Sequence, residues 1–328
     1  MNLKKTQSSA CAGSSVVDFF CLCYASIKNR NLFLQKIRFY SLLRFTVRTI
    51  ANIFLPIYFK LTAKPCLPQS DKSAPIVSLT TFPKRGKRVW IVIESLMRQT
   101  VKPKQIILWL SRQQYENMEA VPKSLRRMQR RGLKIEIRDG DIRSHKKYFY
   151  AFTELKGETI ITVDDDIIYP SYTVKKLMQL HVHSPNSVCA RFVKEMKYSN
   201  TGELAKYVEW EGCRVKSRLF FGSGGGTLFP SSSIREDMLK ISDIMAICPT
   251  ADDVWLNAMV KIGYTNILKT NEFFSILPVM NFSDVTLSSI NNGLHQNDVQ
   301  IEKVRRFCMD NFGHDPFRLK RTSFVERI

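Results

Sequence analysis

The sequence predicts an α/β fold in which a mostly parallel central sheet is flanked by helices. From residue 76 onward, short apolar runs alternate with segments of helical periodicity, which is typical of parallel sheets. The 328 residues are 44% hydrophobic and 24% charged, a globular composition that supports one sizeable core. One apolar run ends directly in three aspartates at 164–166. Because ligands bind beyond the carboxyl ends of the strands in such sheets, a functional site is expected there.

Strands and helices follow one another in a regular order. Apolar and β-branched runs predict strands at residues 76–79, 105–110, 133–137 and 159–163. A helix follows Pro83, with apolar residues at helical spacing through Met97. Pro122 and Gly132 bracket a basic helix, since proline favours the first turn and glycine the position past the end. Residues 145–155 predict another helix.

Residues 1–72 form a basic extension that differs from the domain predicted for residues 73–328. The extension carries eleven lysines and arginines against Asp18 and Asp71. From residue 32 to 59 these cations interleave with large apolar side chains, as in helices that lie in a membrane interface. A helix packed on the catalytic domain explains the same pattern, and the sequence leaves both interpretations open.

Neither a cleavable signal peptide nor a membrane-crossing helix is predicted. The apolar stretch near residue 16 is interrupted by Asp18. The longest candidate for such a helix, residues 49–59, has only eleven uncharged residues and contains Pro56, whereas a crossing helix needs about 20. The eight cysteines are scattered without a CxxC pair, which indicates a reducing compartment. The protein is therefore predicted to be cytoplasmic, and to be peripheral on the inner face of the cell membrane if the extension binds lipid.

The overall charge favours anionic partners. Fifty lysines and arginines against 29 aspartates and glutamates give a formal net charge of +21. Nucleic acid, anionic lipid and phosphorylated glycan all suit such a surface field. A basic nucleic-acid-binding protein or metal-dependent nuclease is therefore an alternative function, supported by Arg126, Arg127, Arg130 and Arg131. It is the less favoured one, because no recognisable nucleic-acid module is present.

The three consecutive aspartates are the strongest candidate for a metal site. In an extended chain residues i and i+2 point to the same side, so Asp164 and Asp166 can converge on one ion while Asp165 faces elsewhere. Mg²⁺ and Mn²⁺ prefer one or two carboxylates together with phosphate and water oxygens. A solvated acidic turn is the alternative, which the apolar residues on both sides of the triplet disfavour. A calcium loop is disfavoured because Ile168 breaks its spacing.

Three segments together resemble successive motifs of GT-A-fold glycosyltransferases of the family-two type. They are LTTFP at 79–83, ESLMRQT at 94–100 and VDDD at 163–166, in the family's order. The resemblance covers about residues 74–300 and is nearest to bacterial enzymes of surface-polysaccharide synthesis. It implies a GT-A-type, Rossmann-like sheet and transfer of a sugar from a nucleotide-diphosphate donor to a glycan or lipid-linked acceptor. It also implies Mn²⁺ or Mg²⁺ on Asp164 and Asp166.

The resemblance also assigns residues to the donor. It places Thr80 and Thr81 near the nucleotide base and Asp165 near the ribose. Lys146 and Lys147 stand where such enzymes often carry a basic residue facing the donor, and a lysine there would neutralise phosphate charge. A solvated helix face in a generally basic protein is the alternative for the two lysines.

A second acidic pair, Asp252 and Asp253, precedes an apolar helical segment. It resembles the family's motif for the catalytic base. The resemblance implies that Asp253 takes the acceptor's proton and Asp252 orients the acceptor, in one displacement that inverts the anomeric carbon. Thr250 and Asp253 are also spaced as a helix capping box, which needs no catalysis. The family pattern favours catalysis.

Two further features belong to the expected site. The glycines of FGSGGGT at 221–227 let the backbone approach a ligand closely, so Gly224 and Gly225 are candidates for a wall of the sugar site, with a flexible turn as the alternative. No Gly-Lys-Ser or Gly-Lys-Thr follows, so this is not a Walker loop. His295 lies where several GT-A enzymes place a histidine metal ligand, although a lone histidine is more often structural.

Together these motifs predict a metal-dependent, inverting glycosyltransferase of polysaccharide synthesis. Its expected partners are a nucleotide-sugar donor, a glycan or lipid-linked acceptor and, through the extension, an anionic membrane surface. Nucleic acid is not expected as a partner. A degenerate transferase that serves only as an interaction partner is a third alternative, which the intact aspartate triplet disfavours.

Overall fold

The helices and strands lie in the parts of the chain that the computed structural model describes, residues 15–27, 31–62, 65–67, 73–212, 218–271, 276–280 and 296–319. The α-helices are α1 Val16–Ser26, α2 Leu32–Lys36, α3 Phe39–Leu61, α4 Pro83–Gly86, α5 Val89–Met97, α6 Lys123–Met128, α7 Lys146–Glu154, α8 Thr173–His183, α9 Ile241–Ile247, α10 Asp252–Ile262 and α11 Gln296–Phe312. The strands are β1 Ile76–Thr80, β2 Gln105–Ser111, β3 Leu133–Arg138, β4 Ile160–Val163, β5 Ile167–Ile168, β6 Val188–Ala190, β7 Val193–Glu195, β8 Glu211–Gly212, β9 Leu219–Phe221, β10 Gly225–Phe229, β11 Ile267–Lys269 and β12 Leu277–Pro278.

The central sheet has seven strands in the order β11-β6-β10-β4-β1-β2-β3. Its neighbouring strands are parallel, except that β10 runs antiparallel to both β4 and β6. Helices contribute to the core on both faces of this sheet. The prediction of an α/β fold with a mostly parallel sheet flanked by helices is therefore confirmed.

Both faces of the central strands are buried, which explains their near-continuous apolar sequences. In β1, Val77 and Leu79 belong to one core cluster, whereas Ile76 belongs to the other. In β2, Ile106 belongs to the first of these clusters and Ile107 belongs to the second. The four strands predicted from sequence agree with β1, β2, β3 and β4 to within one residue at each end.

The strand order brings several loops to one edge of the sheet. The carboxyl ends of β1 and β4 lie at this edge, and the antiparallel β10 begins there, with Gly225 paired to Val163. The backbone N–H of Asp164 accordingly donates to the carbonyl of Gly224 at 3.2 Å. The hydroxyl of Thr81 donates to Asp165 at 2.6 Å. Residues far apart in sequence therefore meet around the aspartate triplet.

Helices α1 and α3 of the N-terminal segment pack on the sheet domain. Val17, Leu55 and Phe59 belong to the core cluster that also contains residues of β1. The buried carboxylate of Asp18 accepts hydrogen bonds from the backbone N–H and the hydroxyl of Ser171, both at 2.6 Å. One face of this N-terminal segment is therefore packed on the domain, which is the second of the two interpretations that the sequence left open. The division into residues 1–72 and 73–328 stays a prediction.

Helix α3 is longer than the sequence indicated. It runs for 23 residues and includes Arg48, Pro56 and Lys60, which bound or interrupt the eleven-residue apolar run. Among the described helices of at least 18 residues, α3 is apolar enough to cross a membrane by length and composition. The sequence underestimated the length of this helix, because a charged side chain limits burial without ending a helix. Length and composition alone do not show that α3 crosses a membrane.

Candidate active site

A cavity of about 690 Å³ opens at the carboxyl edge of the sheet. This volume is typical of small-molecule sites. Most site residues predicted from the sequence line it, namely Thr80, Thr81, Lys146, Lys147, Asp164, Asp165, Asp166, Asp252 and Asp253. Gly224 and Gly225 are not among the lining residues. His295 lies outside the described residues.

Asp164 and Asp166 are the more exposed carboxylates of the triplet, whereas Asp165 lines the cavity as a buried residue. The side chains of Asp164 and Asp166 are 40% and 32% exposed, against 7% for Asp165. Asp165 accepts hydrogen bonds from Thr81 at 2.6 Å and from Arg85 at 2.7 Å. Partial burial and the charge of Asp164 raise the pKa of Asp166 to about 6. A divalent cation would relieve that repulsion, so the exposed pair fits one.

Arg85 is a site residue that the sequence did not single out. Its guanidinium lies 2.7 Å from Asp165 and 2.9 Å from Asp166, and the residue is buried. Burial works to lower its pKa, but Asp165 and Asp166 raise that pKa overall. It follows the LTTFP motif in the one-turn helix α4. That position was its only local signal, because the contact with the triplet spans 80 residues.

Lys146 and Lys147 are both buried. The ammonium of Lys147 lies 2.7 Å from Asp164 and 2.8 Å from Asp252, and Lys146 forms an ion pair with Asp141. Burial opposes the charge of Lys147, but Asp164 and Asp252 raise its pKa well above the usual value. The alternative of a solvated helix face is therefore wrong for both lysines. Lys147 instead connects the aspartate triplet with the second acidic pair.

Asp252 and Asp253 begin helix α10, and both are bound to Ser223. The Ser223 hydroxyl donates to Asp252 and its backbone N–H donates to Asp253, each at 2.6 Å. The N-cap residue is Ala251, and no side chain caps the helix. The capping-box alternative is therefore wrong, since the carboxylate of Asp253 binds the loop before β10 and does not cap the helix.

The two carboxylates of this pair have opposite pKa shifts. Burial and the charge of Asp252 raise the pKa of Asp253 to about 7. Burial also disfavours the charged form of Asp252, but Lys147 outweighs it and holds the pKa of Asp252 well below its usual range. Two neighbouring acids separated in this way can divide their roles. Asp252 stays ionised, and Asp253 is poised to exchange a proton near neutral pH.

The glycine-rich turn supports the aspartates from behind the cavity. A Cβ at position 224 would overlap the carboxylate of Asp164. The phenol of Tyr169 donates to the carbonyl of Gly224, and the backbone N–H of Asp164 donates to the Tyr169 oxygen at 2.9 Å. The close backbone approach that the glycines permit is therefore to Asp164.

Replacement of Gly224 with alanine is expected to lower the activity of this site on the order of 100-fold, because Asp164 must move by about 1 Å or more. The assay is any turnover that depends on Asp164, measured beside circular dichroism spectra. Gly212→Ala is the matched control, since a Cβ there has no neighbour within 4 Å. An alanine variant at 224 with full activity would show that this packing does not position Asp164.

An aromatic wall closes the side of the cavity near Asp253. Tyr207 and Phe220 line it, with their ring centroids 5.8 Å apart. The ammonium of Lys194 lies 4.0 Å from the Tyr207 ring centroid. Burial and then the charge of Asp253 raise the pKa of Tyr207. The sequence carries no local signal for these residues, because Phe220 belongs to β9 and Tyr207 to the loop after β7, and both strands are too short to show periodicity.

The charges lining the cavity suit a cation together with an anionic ligand. Five lining side chains are cationic and six are aspartates, so the formal net charge of the lining is −1. The cations are Lys84, Arg85, Arg143, Lys146 and Lys147, and the aspartates are Asp141, Asp164, Asp165, Asp166, Asp252 and Asp253. A divalent cation would make the lining positive. Within the described residues, no three His, Cys, Asp or Glu side chains form a self-sufficient metal cluster. Two carboxylates with phosphate and water oxygens are enough for Mg²⁺.

No protein-family model matches the chain, and no curated protein matches it in sequence. Among solved structures, the chain is similar to a mannosyltransferase from Pyrobaculum calidifontis in complex with GDP-Man and Mn²⁺, with 11% identity, 83% of this chain and 77% of that chain covered, and a TM-score of 0.49. It is also similar to a 4-diphosphocytidyl-2C-methyl-D-erythritol synthase from Anaerococcus prevotii, with 12% identity, 68% and 97% covered, and a TM-score of 0.39. A third similar structure is HddC from Yersinia pseudotuberculosis, which is 12% identical. The match covers 49% of this chain and 78% of that chain, and its TM-score is 0.33. At these values neither a family nor a function follows for this chain.

Proposed function

We propose that this chain is a metal-dependent glycosyltransferase that moves a sugar from a nucleotide-diphosphate donor to an acceptor hydroxyl. The observation that supports it is a single cavity that holds two aspartate pairs joined by the buried ammonium of Lys147. Asp164 and Asp166 suit a cation on a diphosphate. Asp252 and Asp253 suit proton transfer. Metal-assisted, inverting sugar transfer from a diphosphate donor uses both functions in one site.

The donor side of the proposal has a cationic lining. Bound Mn²⁺ or Mg²⁺ would supply positive charge to the departing diphosphate. Arg143 and Lys146 line the same cavity and offer their charges to phosphate oxygens. Thr80 and Thr81 would lie near the base, and Asp165, held by Arg85, near the ribose.

Asp253 is the proposed base. Its carboxylate takes the proton of the acceptor hydroxyl while that oxygen forms a bond to the anomeric carbon. The bond from that carbon to the diphosphate oxygen breaks, and its electrons leave with the nucleoside diphosphate. One displacement of this kind inverts the anomeric configuration. The pKa of about 7 for Asp253 suits a base that works near neutral pH.

The acceptor in this proposal is a glycan or a lipid-linked glycan of polysaccharide synthesis, used at the cytoplasmic face of the cell membrane. The net charge of +21 supports it, because many such acceptors carry phosphate. The aromatic wall of Tyr207 and Phe220 adjoins Asp253, and flat rings there suit the apolar face of a sugar.

A thermal-shift screen of nucleotide sugars with Mn²⁺ tests the proposed function. A donor present at 100 times its dissociation constant is expected to stabilise the protein by about 2.7 kcal/mol. The matched comparison is the nucleoside monophosphate, which lacks the diphosphate. No stabilisation by any nucleotide sugar, together with a shift by oligonucleotides, would replace the transferase with the nucleic-acid alternative.

A further inference from the structure

The face of α3 that points away from the domain carries an apolar stripe, which the exposed Thr46 interrupts once. Large apolar side chains recur on it at spacings of three, four and seven residues, and all of them are exposed. We name this set the outer stripe: Phe39, Leu42, Leu43, Ile50, Ile53, Phe54, Ile57 and Leu61. At about 1.5 Å per residue it is about 33 Å long. Surface apolar residues scattered singly need no explanation, but a patch of this extent marks an interaction surface.

The opposite face of α3 is fixed to the domain. Ala51, Leu55 and Phe59 are fully buried there. The side chain of Asn52 donates to the carbonyl of Pro278 at 3.0 Å and accepts from the N–H of Met280 at 2.8 Å. A crossing helix would be surrounded by lipid or by other crossing helices. A helix with one packed face and one apolar face fits the plane of an interface instead.

The packed face is connected to the aspartate triplet. Strand β12, which Asn52 holds, pairs with β5 directly after the triplet. Directly after β12, the backbone N–H of Val279 donates to the carbonyl of Asp166 at 2.7 Å. Helix α1 adds a second attachment, from Asp18 to Ser171. The outer stripe is therefore held at a fixed orientation to the cavity.

The charges around the outer stripe have one sign. Residues 31–62 contain no aspartate or glutamate. Lys36 and Arg38 are exposed before the stripe begins, and Lys60 is exposed near its end. Anionic lipid headgroups complement cations at both ends of an apolar face. A second copy of this chain would instead bring like charges together.

We infer that the outer stripe docks α3 in the plane of an anionic lipid bilayer. The stripe enters the boundary of headgroups and acyl chains, and the flanking cations meet the headgroups. The role of this docking rests on the proposed function: the rigid attachment would present the cavity to a lipid-linked acceptor in the same bilayer.

The test uses the full chain and vesicles of phosphatidylcholine with or without phosphatidylglycerol in a flotation assay. Ile53→Asp combined with Ile57→Asp places two charges in the middle of the outer stripe. The fraction of this variant that floats with anionic vesicles is expected to be about tenfold or more lower than that of the wild type. Val182→Asp is the matched control and should float like the wild type, because Val182 is an exposed apolar residue on α8.

Two outcomes would overturn the inference. One is equal flotation of the double variant and the wild type. The other is a wild type that does not float but is dimeric, with a monomeric double variant, which would make the stripe an interface between copies. Circular dichroism spectra of all three proteins control for folding, and the thermal shift with nucleotide sugars tests the donor site separately. Flotation that depends on the stripe without any donor shift would leave docking in place and remove the transferase function.

Discussion

Replacement of Asp253 with asparagine is expected to lower the transfer rate by about 100-fold or more while donor affinity and fold are kept. The amide cannot accept the acceptor's proton. It can still accept the hydrogen bond that the N–H of Ser223 donates to Asp253 at 2.6 Å. The loss should therefore appear in the rate of transfer and not in the thermal shift caused by the donor.

The same variant is expected to gain stability relative to the wild type as the pH rises. Burial and the charge of Asp252 raise the folded-state pKa of Asp253 to about 7, whereas an aspartate in the unfolded chain titrates near about 3.9. The stability that this raised pKa provides at low pH is lost as the pH rises between the two values. Asparagine does not ionise, so the variant avoids that loss.

Rates and melting temperatures measured on one preparation across neutral pH separate a base from a structural residue. The wild-type rate should increase with pH up to about 7, as Asp253 ionises, and this dependence should be absent from the variant. Asp310→Asn, an exposed change on α11, is the control. A variant at position 253 that keeps the wild-type rate would assign the base elsewhere.

The strands were predictable because their signal is local. β1, β2 and β4 are buried on both faces and are short apolar runs, whereas the edge strand β3 alternates apolar with charged residues. The sequence places each of the four to within one residue at each end. The later strands are two to five residues long and had no such signal. Helix α3 was underestimated for a different reason. Arg48 and Lys60 interrupt its uncharged run, although both are compatible with a helix.

The candidate site was predictable where one strand end determines the geometry. The i, i+2 spacing predicted a common side for Asp164 and Asp166, and these are the two more exposed carboxylates of the triplet, although residues 165–166 form a turn and not an extended chain. The roles of Lys147 and Ser223 were not accessible in this way. Lys147 reaches across 105 residues to Asp252, and whether a lysine on a helix is solvated or buried depends on what packs over it. The glycines at 224 and 225 were predicted to form a wall of the sugar site, but neither lines the cavity. The space that a Cβ at position 224 would fill is taken by the carboxylate of Asp164, which lies 60 residues earlier in the chain and gave no local signal.

Asp164→Asn and Asp166→Asn are each expected to abolish metal-dependent transfer and to weaken donor binding. Each change removes one of the two more exposed carboxylates of the triplet, and the departing diphosphate then lacks the cation that the pair would hold. The two variants should differ in a second respect. Asp164→Asn removes one partner of the buried Lys147, which keeps Asp252, and Asp166→Asn removes one partner of Arg85, which keeps Asp165. Burial and the charge of Asp164 raise the pKa of Asp166 to about 6, so the charge of Asp166 is already disfavoured in the folded protein and its loss costs less. Asp164→Asn should therefore have the lower melting temperature of the two.

The measurements are the transfer rate as a function of Mn²⁺ concentration and the part of the donor's thermal shift that requires Mn²⁺. Both should be lost in either variant, and a chelator should reduce the wild type to the same level. Asp139→Asn is the control, because Asp139 is 87% exposed and pairs with Arg112 outside the cavity. Full activity of both variants, or a wild-type rate unchanged by the chelator, would remove the metal from the proposed mechanism. Lys147 and Arg85 would then be the cations available to the diphosphate, and Lys147→Met should in that case abolish transfer without any dependence on Mn²⁺.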